Sequence, residues 1–246
     1  MSSVFPESEF KAFGRAASAF FPDLLSDEAL SDPLKKRQQF DRSYQAVRYR
    51  YRLSYDSCAE FKELLSNPSE SWKAGWGDEE LNYKLERCIY LFFMSSLSVF
   101  ESLVFCLYFF GHAINPREFP HVNSPRKICL TVTSKAFLAA FPQAEISQYL
   151  SEMPQKPEYV EIETHRNILA HRLSGRRSVK LIGIIHPDGT DTSTIEETWD
   201  IPCSAQNREF NDGFLHQYLD EVTNLLRTLI SSAAAFADLP PQTTSA

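Results

Sequence analysis

The apolar run from Leu91 to Phe110 restricts the fold more than any other part of the chain. It lies in a segment, 78–111, that begins with three acidic residues, which favour a helix N-terminus, and ends at Gly111. A helix of this length could span a bilayer. However, Glu101 lies near the centre of the run, where a charge is costly in lipid, and serines interrupt the run. We therefore expect the buried central helix of a bundle, with a transmembrane helix as the less favoured alternative.

Two further segments have the periodicity of long helices. Asp32-Pro33 is typical of a helix start and Asn67-Pro68 of a stop, and the apolar residues between them recur at alternating spacings of four and three. This heptad pattern predicts a helix that packs lengthwise against another helix. Apolar residues along one side predict a last helix over about 207–237. Shorter helices are expected at about 7–20, 125–141 and 143–152.

The pattern changes after residue 175. The stretch 179–186 is apolar and β-branched, the stretch 194–201 alternates, and Pro187-Asp188-Gly189 between them favours a turn. We predict a β-hairpin over about 178–201, inserted before the last helix. The predicted fold class is all-α, as a single helical domain over 1–239 with its core at about 33–175. A disordered tail, 240–246, is expected to follow.

The composition excludes several classes of protein. The formal net charge is −7, so a nucleic-acid-binding function would need a local basic patch. The five cysteines are scattered and form no Cys-x-x-Cys pair, so neither a disulfide framework nor a zinc site is predicted. There is no Gly-rich phosphate loop, and no metal or cofactor is expected. The N-terminus has no secretory signal pattern, so a cytoplasmic protein is expected.

One predicted helix contains the residues that indicate a function. Pro157 is suited to its first turn and Gly175 to the position after its end. Arg166 falls on its apolar stripe, where a charge is costly unless it is paired or lines a site. Asn167 and His171 are four residues apart and so share a face. The stripe itself consists of Tyr159, Ile162, Leu169 and Leu173.

The end of this helix and the residues that follow it form a basic segment in an acidic protein. No acidic residue occurs between 165 and 180. We expect Arg172, Arg176 and Arg177 to bind RNA, and His165 to support the site. Each of these four residues taken singly is better explained by a solvated helix end. The basic residues and histidines of the segment are His165, Arg166, His171, Arg172, Arg176, Arg177 and Lys180.

These residue types suit RNA cleavage without a metal. A histidine such as His171 can accept a proton from a ribose 2′-OH or donate one to a leaving oxygen. Arg166 presents a planar, permanently charged fork to a phosphate, and Asn167 could orient His171. Arg166 and His171 lie about 140° apart around the helix. The arginine must therefore curl round the helix, or a second copy of the chain must complete the site across a dimer interface.

The motif Arg166-Asn167-Ile168-Leu169-Ala170-His171 resembles the signature of the HEPN superfamily. That signature is an arginine, commonly followed by a polar residue, with a histidine four to six residues after the arginine on a late helix of an all-α bundle. The resemblance implies a HEPN-like bundle, a homodimer, and a metal-independent endoribonuclease of a toxin–antitoxin, abortive-infection or antiphage system. It also implies that Arg166 and His171 are the catalytic pair and Asn167 their polar companion. Other HEPN members are non-catalytic binding or scaffold modules.

The resemblance and the residues together define the expected partners. These are RNA, a second copy of the chain, and an antitoxin or regulatory protein, with no membrane. Two structural alternatives remain open for the catalytic pair. Arg166 could form a buried ion pair with Glu101 that fixes the bundle register, although Glu101 could also anchor it for catalysis. His171 could simply stabilise the helix C-terminus.

Overall fold

The computed structural model describes residues 4–21, 32–66, 79–171, 176–185, 191–200, 209–210 and 213–238. Side-chain burial is described throughout these ranges except at 32–34, at 171 and in the strands, where only the exposure of Gly183 is described. The described part of the chain is mostly helical, as the sequence predicted. Its α-helices are α1 (Glu7–Ser18), α2 (Asp32–Ser66), α3 (Glu79–Ile114), α4 (Leu130–Ala140), α5 (Glu145–Glu152), α6 (Pro157–His171) and α7 (Phe214–Ala237). Short 3₁₀ helices cover Pro120–Asn123, Pro125–Lys127 and Met153–Gln155.

Three strands lie between α6 and α7. They are β1 (Arg176–Ile185), β2 (Asp191–Asp200) and β3 (Glu209–Phe210), in the order β1-β2-β3. β1 and β2 pair antiparallel, with Arg176 opposite Asp200 and Ile185 opposite Asp191. The predicted hairpin, 178–201, covers the same segment, and its turn lies outside the described residues. The predicted start of the last helix at 207 is wrong, because Glu209–Phe210 pairs with Trp199–Asp200 and α7 begins only at Phe214.

The chain divides into two compact units. Unit 1 comprises Met1–Tyr51, Ser96–Val160 and Asp220–Ala246, and unit 2 comprises Arg52–Ser95 and Glu161–Leu219. Each of the helices α2, α3, α6 and α7 is divided between them. The motif Arg166–His171 therefore belongs to unit 2.

α3 is the main source of buried apolar surface in the described residues. It is the one described helix long and apolar enough to cross a membrane, and 67% of its most apolar stretch is buried. In unit 1, the ring of Phe110 on α3 contacts Phe13 at 5.8 Å and Phe236 at 5.8 Å. In unit 2, Phe93 contacts Tyr218 at 5.4 Å. Burial by neighbouring helices therefore accounts for its apolar sequence.

α3 continues past the position where the sequence predicted its end. We expected Gly111 to follow the last turn, but the helix extends to Ile114. The glycine is needed for a close approach instead, because a Cβ at this position would lie 2.4 Å from the ring of Phe119. Phe119 is fully buried and contacts Tyr108 and Phe137 edge-on at 5.2 Å each, so its ring has little room to move.

We predict that Gly111→Ala lowers the free energy of unfolding by about 1–3 kcal/mol, the usual range for overpacking a core. Alanine is a better helix former than glycine, so helix propensity alone would raise the stability. A loss of stability would therefore come from the steric clash. Gly183→Ala is the matched control, because Gly183 is exposed and no atom lies within 4 Å of an added Cβ. Thermal unfolding followed by circular dichroism measures both variants. A Gly111→Ala protein as stable as the wild type would contradict this packing.

Candidate functional site

The buried face of α6 differs from the predicted stripe. Its buried residues are Tyr159, Ile162, His165 and Ile168, at a constant spacing of three. Tyr159 and Ile162 are confirmed as core residues, but Leu169 is only half-buried and Leu173 lies outside the described residues. A spacing of three turns the buried face back by about 60° at each step, since three residues fall short of one helical turn. Arg166 is consequently half-buried at the edge of that face, not on it.

His165 is a core residue, and the solvated helix end considered for it is wrong. Its side chain is only 4% exposed. Its ring stacks on Phe93 of α3 with a centroid distance of 4.8 Å and an interplanar angle of 12°. Tyr218 of α7 meets it edge-on at 5.5 Å. The Nδ1–H donates to the carbonyl oxygen of Glu161 at 2.8 Å, because a carbonyl can only accept.

A second contact between α6 and α7 lies beside His165. The hydroxyl of Tyr218 donates to Oε2 of Glu161 at 3.1 Å. Tyr218 is buried, and a buried tyrosine hydroxyl needs such a partner. No local pattern connects Glu161 with Tyr218, since they are far apart along the chain. The only signal was a tyrosine on the apolar side of the last helix.

Arg166 and Asn167 are brought together at the accessible edge of α6. One guanidinium nitrogen, Nη1, of Arg166 donates to Oδ1 of Asn167 at 2.9 Å. Asn167 is exposed, so the pair is open to solvent on the asparagine side. This bond gives Asn167 a role that the sequence did not suggest, because it orients the arginine. The pair presents a positive, planar group beside a neutral amide.

For the other basic residues of the predicted site, the structure describes the backbone at most. α6 ends at His171, whose backbone is described and whose side chain is not. Arg172 lies outside the described residues. Arg176 and Arg177 open β1, with Asp200 and Trp199 as their backbone partners. The basic segment therefore spans the end of a helix and the start of a strand.

Glu101 does not take part in a buried ion pair. Its side chain is exposed, and its Oε2 accepts a hydrogen bond from Ser98 at 3.3 Å. An exposed carboxylate is not half of a buried ion pair, so the expectation that Glu101 is buried in such a pair is wrong. Glu101 is accommodated on α3 because it lies on an exposed side of that helix.

A groove of about 700 Å³ between α1 and α2 is a separate surface feature of unit 1. Lys11 and Asp41 on its rim are engaged by Glu7 at 3.1 Å and Arg37 at 3.6 Å. At its base, the hydroxyl of Tyr44 donates to the Phe10 carbonyl at 2.8 Å, and burial raises the pKa of Tyr44 to about 12. Most of its polar groups therefore serve the fold. The lining residues are Ser8, Lys11, Gly14, Arg15, Ser18, Phe40, Asp41, Tyr44 and Gln45.

No three His, Cys, Asp or Glu side chains in the described ranges converge so that they could hold a metal ion. Comparisons with protein-family models, with curated proteins and with solved structures found no match.

We predict that His165→Ala lowers the free energy of unfolding by about 2–4 kcal/mol, since it removes a buried ring from two aromatic contacts. Asn167→Ala on the same helix is the matched control and should change stability by less than about 0.5 kcal/mol, because Asn167 is exposed. Urea unfolding of both variants measures the difference. Equal midpoints for the two variants would show that His165 is not a core residue.

Proposed function

We propose that this protein is a metal-independent endoribonuclease of HEPN type, in which Arg166, Asn167 and His171 form the catalytic group. The hydrogen bond from Arg166 to Asn167, at 2.9 Å on an accessible edge of α6, is the observation that carries the proposal. An arginine that only stabilised the core would not need an exposed amide to fix its direction. Such a hydrogen bond would help an arginine to bind phosphate, because a guanidinium group that is already oriented loses less conformational freedom on binding.

The proposed reaction is an internal transfer of the phosphodiester. The ribose 2′-oxygen attacks phosphorus and loses its proton to a base, while the bond from phosphorus to the 5′-oxygen breaks and that oxygen gains a proton. The products are a 2′,3′-cyclic phosphate and a 5′-hydroxyl end. Arg166 would stabilise the negative charge that develops on the phosphoryl oxygens. His171 would exchange one of the two protons.

A second copy of the chain would complete this site. The reaction needs one base and one acid, and the motif contributes one histidine, His171, because the neighbouring His165 is buried against Phe93 and Tyr218. Two motifs facing each other across a two-fold axis would supply both groups. They would also overcome the angular separation of Arg166 and His171 on one helix.

The surrounding residues have supporting roles in this proposal. His165 positions α6 through its contacts with α3 and α7, and does not touch RNA. Arg172, Arg176 and Arg177 follow the motif and would attract the RNA backbone. The protein would act in the cytoplasm as a HEPN-like bundle with its inserted hairpin. It would serve as a toxin or antiphage effector restrained by an antitoxin or regulatory protein.

The alternative is a non-catalytic HEPN-like module that binds RNA or a protein through the same surface. The hydrogen bond from Arg166 to Asn167 favours the binding module, because one guanidinium nitrogen is already occupied. The two functions differ in a measurable way, because a binding module retains RNA without cutting it.

We predict that the wild type cleaves single-stranded RNA in the presence of EDTA. Arg166→Ala and His171→Ala should each reduce the rate by roughly 100-fold or more, the usual effect of losing an acid–base or charge-stabilising group. Arg227→Ala is the matched control, because Arg227 also donates to a nearby asparagine, Asn224, at 3.2 Å, but lies on α7 in unit 1. Mass spectrometry of the products should show cyclic phosphate ends.

The catalytic assignment fails if the wild type cuts no RNA or if both variants cut it as fast as the wild type. RNA binding without cleavage would support the non-catalytic module. A rate that falls equally in Arg227→Ala would indicate a general loss of structure.

A further inference from the structure

One exposed face of α3 in unit 2 contains alternating glutamates and tyrosines. They are Glu79, Tyr83, Glu86 and Tyr90, at spacings of four, three and four residues. Residues at these spacings lie on one face of a helix. Tyr83 and Tyr90 are 60% and 40% exposed. Glu79 is exposed and Glu86 is half-buried. We call these four residues the acidic tyrosine stripe.

The core of unit 2 does not account for this stripe. The opposite side of the same turns is buried, through Leu85, Cys88, Ile89 and Phe92. Glu79 lies in the first turn of α3, where a carboxylate also stabilises the helix N-terminus. Glu86 lies two turns further along, where the helix terminus has no effect on it. The stripe is therefore a surface feature, and Glu86 is the charge that helix stability explains least.

The charges on either side of the stripe are already paired. Lys84 pairs with Glu80 at 3.4 Å, and Arg87 pairs with Glu60 of α2. In the described part of the chain, no cation pairs with either glutamate of the stripe. The stripe therefore presents two uncompensated negative charges beside two exposed aromatic rings.

A cationic side chain matches both components of the stripe. A guanidinium or ammonium group pairs with a carboxylate and is also attracted to the face of a tyrosine ring. A nucleic acid is disfavoured, because the carboxylates repel its phosphates. A second copy bound through the same stripe would bring further carboxylates, and both copies have a formal net charge of −7. Charge complementarity therefore favours a basic partner of a different sequence.

The spacing of the stripe indicates the form of that partner. Alternating spacings of four and three are those at which one helix packs lengthwise against another. At 1.5 Å per residue the stripe is about 17 Å long, which corresponds to about three turns of a partner helix. Tyrosine is also enriched at interfaces between proteins, where its ring supplies apolar area.

We propose that the acidic tyrosine stripe binds a basic helix of a partner protein, with arginine or lysine side chains at heptad spacing. Tyr83 and Tyr90 provide the apolar area and the cation–π contacts, and Glu86 selects for positive charge. Glu79 extends the negative charge towards the start of α3. This partner is independent of the proposed nuclease activity, because no residue of the stripe belongs to the catalytic group.

The test is a titration of the full-length protein against a defined peptide. The peptide is a fluorescein-labelled synthetic helix of about three heptads, with arginine and leucine on the face that would meet the stripe. Fluorescence anisotropy measures its affinity. Glu86→Lys should weaken binding by about tenfold or more, since it replaces an attraction by a repulsion. Tyr83→Ala and Tyr90→Ala should each weaken it by about fivefold, as expected for central interface residues.

Two matched variants control for general effects of charge and exposed area. Glu163→Lys makes the same charge change at an exposed position of α6 in the same unit. Tyr55→Ala removes a tyrosine of α2 that is 46% exposed in that unit. Both should bind the peptide within about twofold of the wild type, as isolated surface positions usually do. Thermal unfolding by circular dichroism checks that every variant is folded.

The proposal is overturned if the wild type does not bind the peptide, or if the Glu86, Tyr83 and Tyr90 variants bind it as tightly as the wild type. It is equally overturned if Glu163→Lys weakens binding as much as Glu86→Lys, because the peptide is then attracted to any acidic surface. Light scattering that shows a dimer lost in the tyrosine variants would assign the stripe to a second copy of the chain instead. Labelled single-stranded RNA that binds the wild type and loses affinity in the same variants would assign it to RNA.

Discussion

The burial of α3 is the constraint on which the rest of the structure depends. A helix of 36 residues with a long apolar run must be covered along most of its length, since water contact would cost about 25 cal/mol for each Å² of apolar surface. In unit 1 this cover comes from aromatic rings of α1 and α7 around Phe110. In unit 2 it comes from His165 of α6 and Tyr218 of α7 around Phe93. The same helix thus fixes the positions of its neighbours in each unit.

The contact between α3 and α6 also determines which side chains of α6 meet solvent. His165 provides a flat ring that matches Phe93, and Tyr218 contacts both rings while donating to Glu161. Because His165 occupies the buried face of α6, the next residue, Arg166, lies at the edge of that face. An arginine at the edge keeps part of its hydration and costs far less than a buried one. The packing of His165 against Phe93 therefore separates the structural histidine of α6 from its accessible arginine.

Much of the fold and part of the site were predictable from local pattern. Helical periodicity and capping residues gave α2, α3 and α6 with small errors at their ends, because caps and periodicity are properties of neighbouring residues. The largest boundary error fell at Glu209–Phe210, which pairs with β2 instead of starting the last helix. Arg166 and Asn167 could be singled out because they stand side by side. Their hydrogen bond, and the burial of His165, could not be predicted.

The sequence by itself determined that this chain is largely helical, that 78–111 is a long apolar helix, and that Arg166, Asn167 and His171 occur together near the end of one helix. Each of these follows from residues a few positions apart. Only the tertiary structure decided that the buried face of α6 contains His165 and leaves Arg166 at its edge. The physical reason is that Phe93 and Tyr218, which lie far from α6 along the chain, pack against this face and bury it. A spacing pattern within one helix contains no information about partners on others.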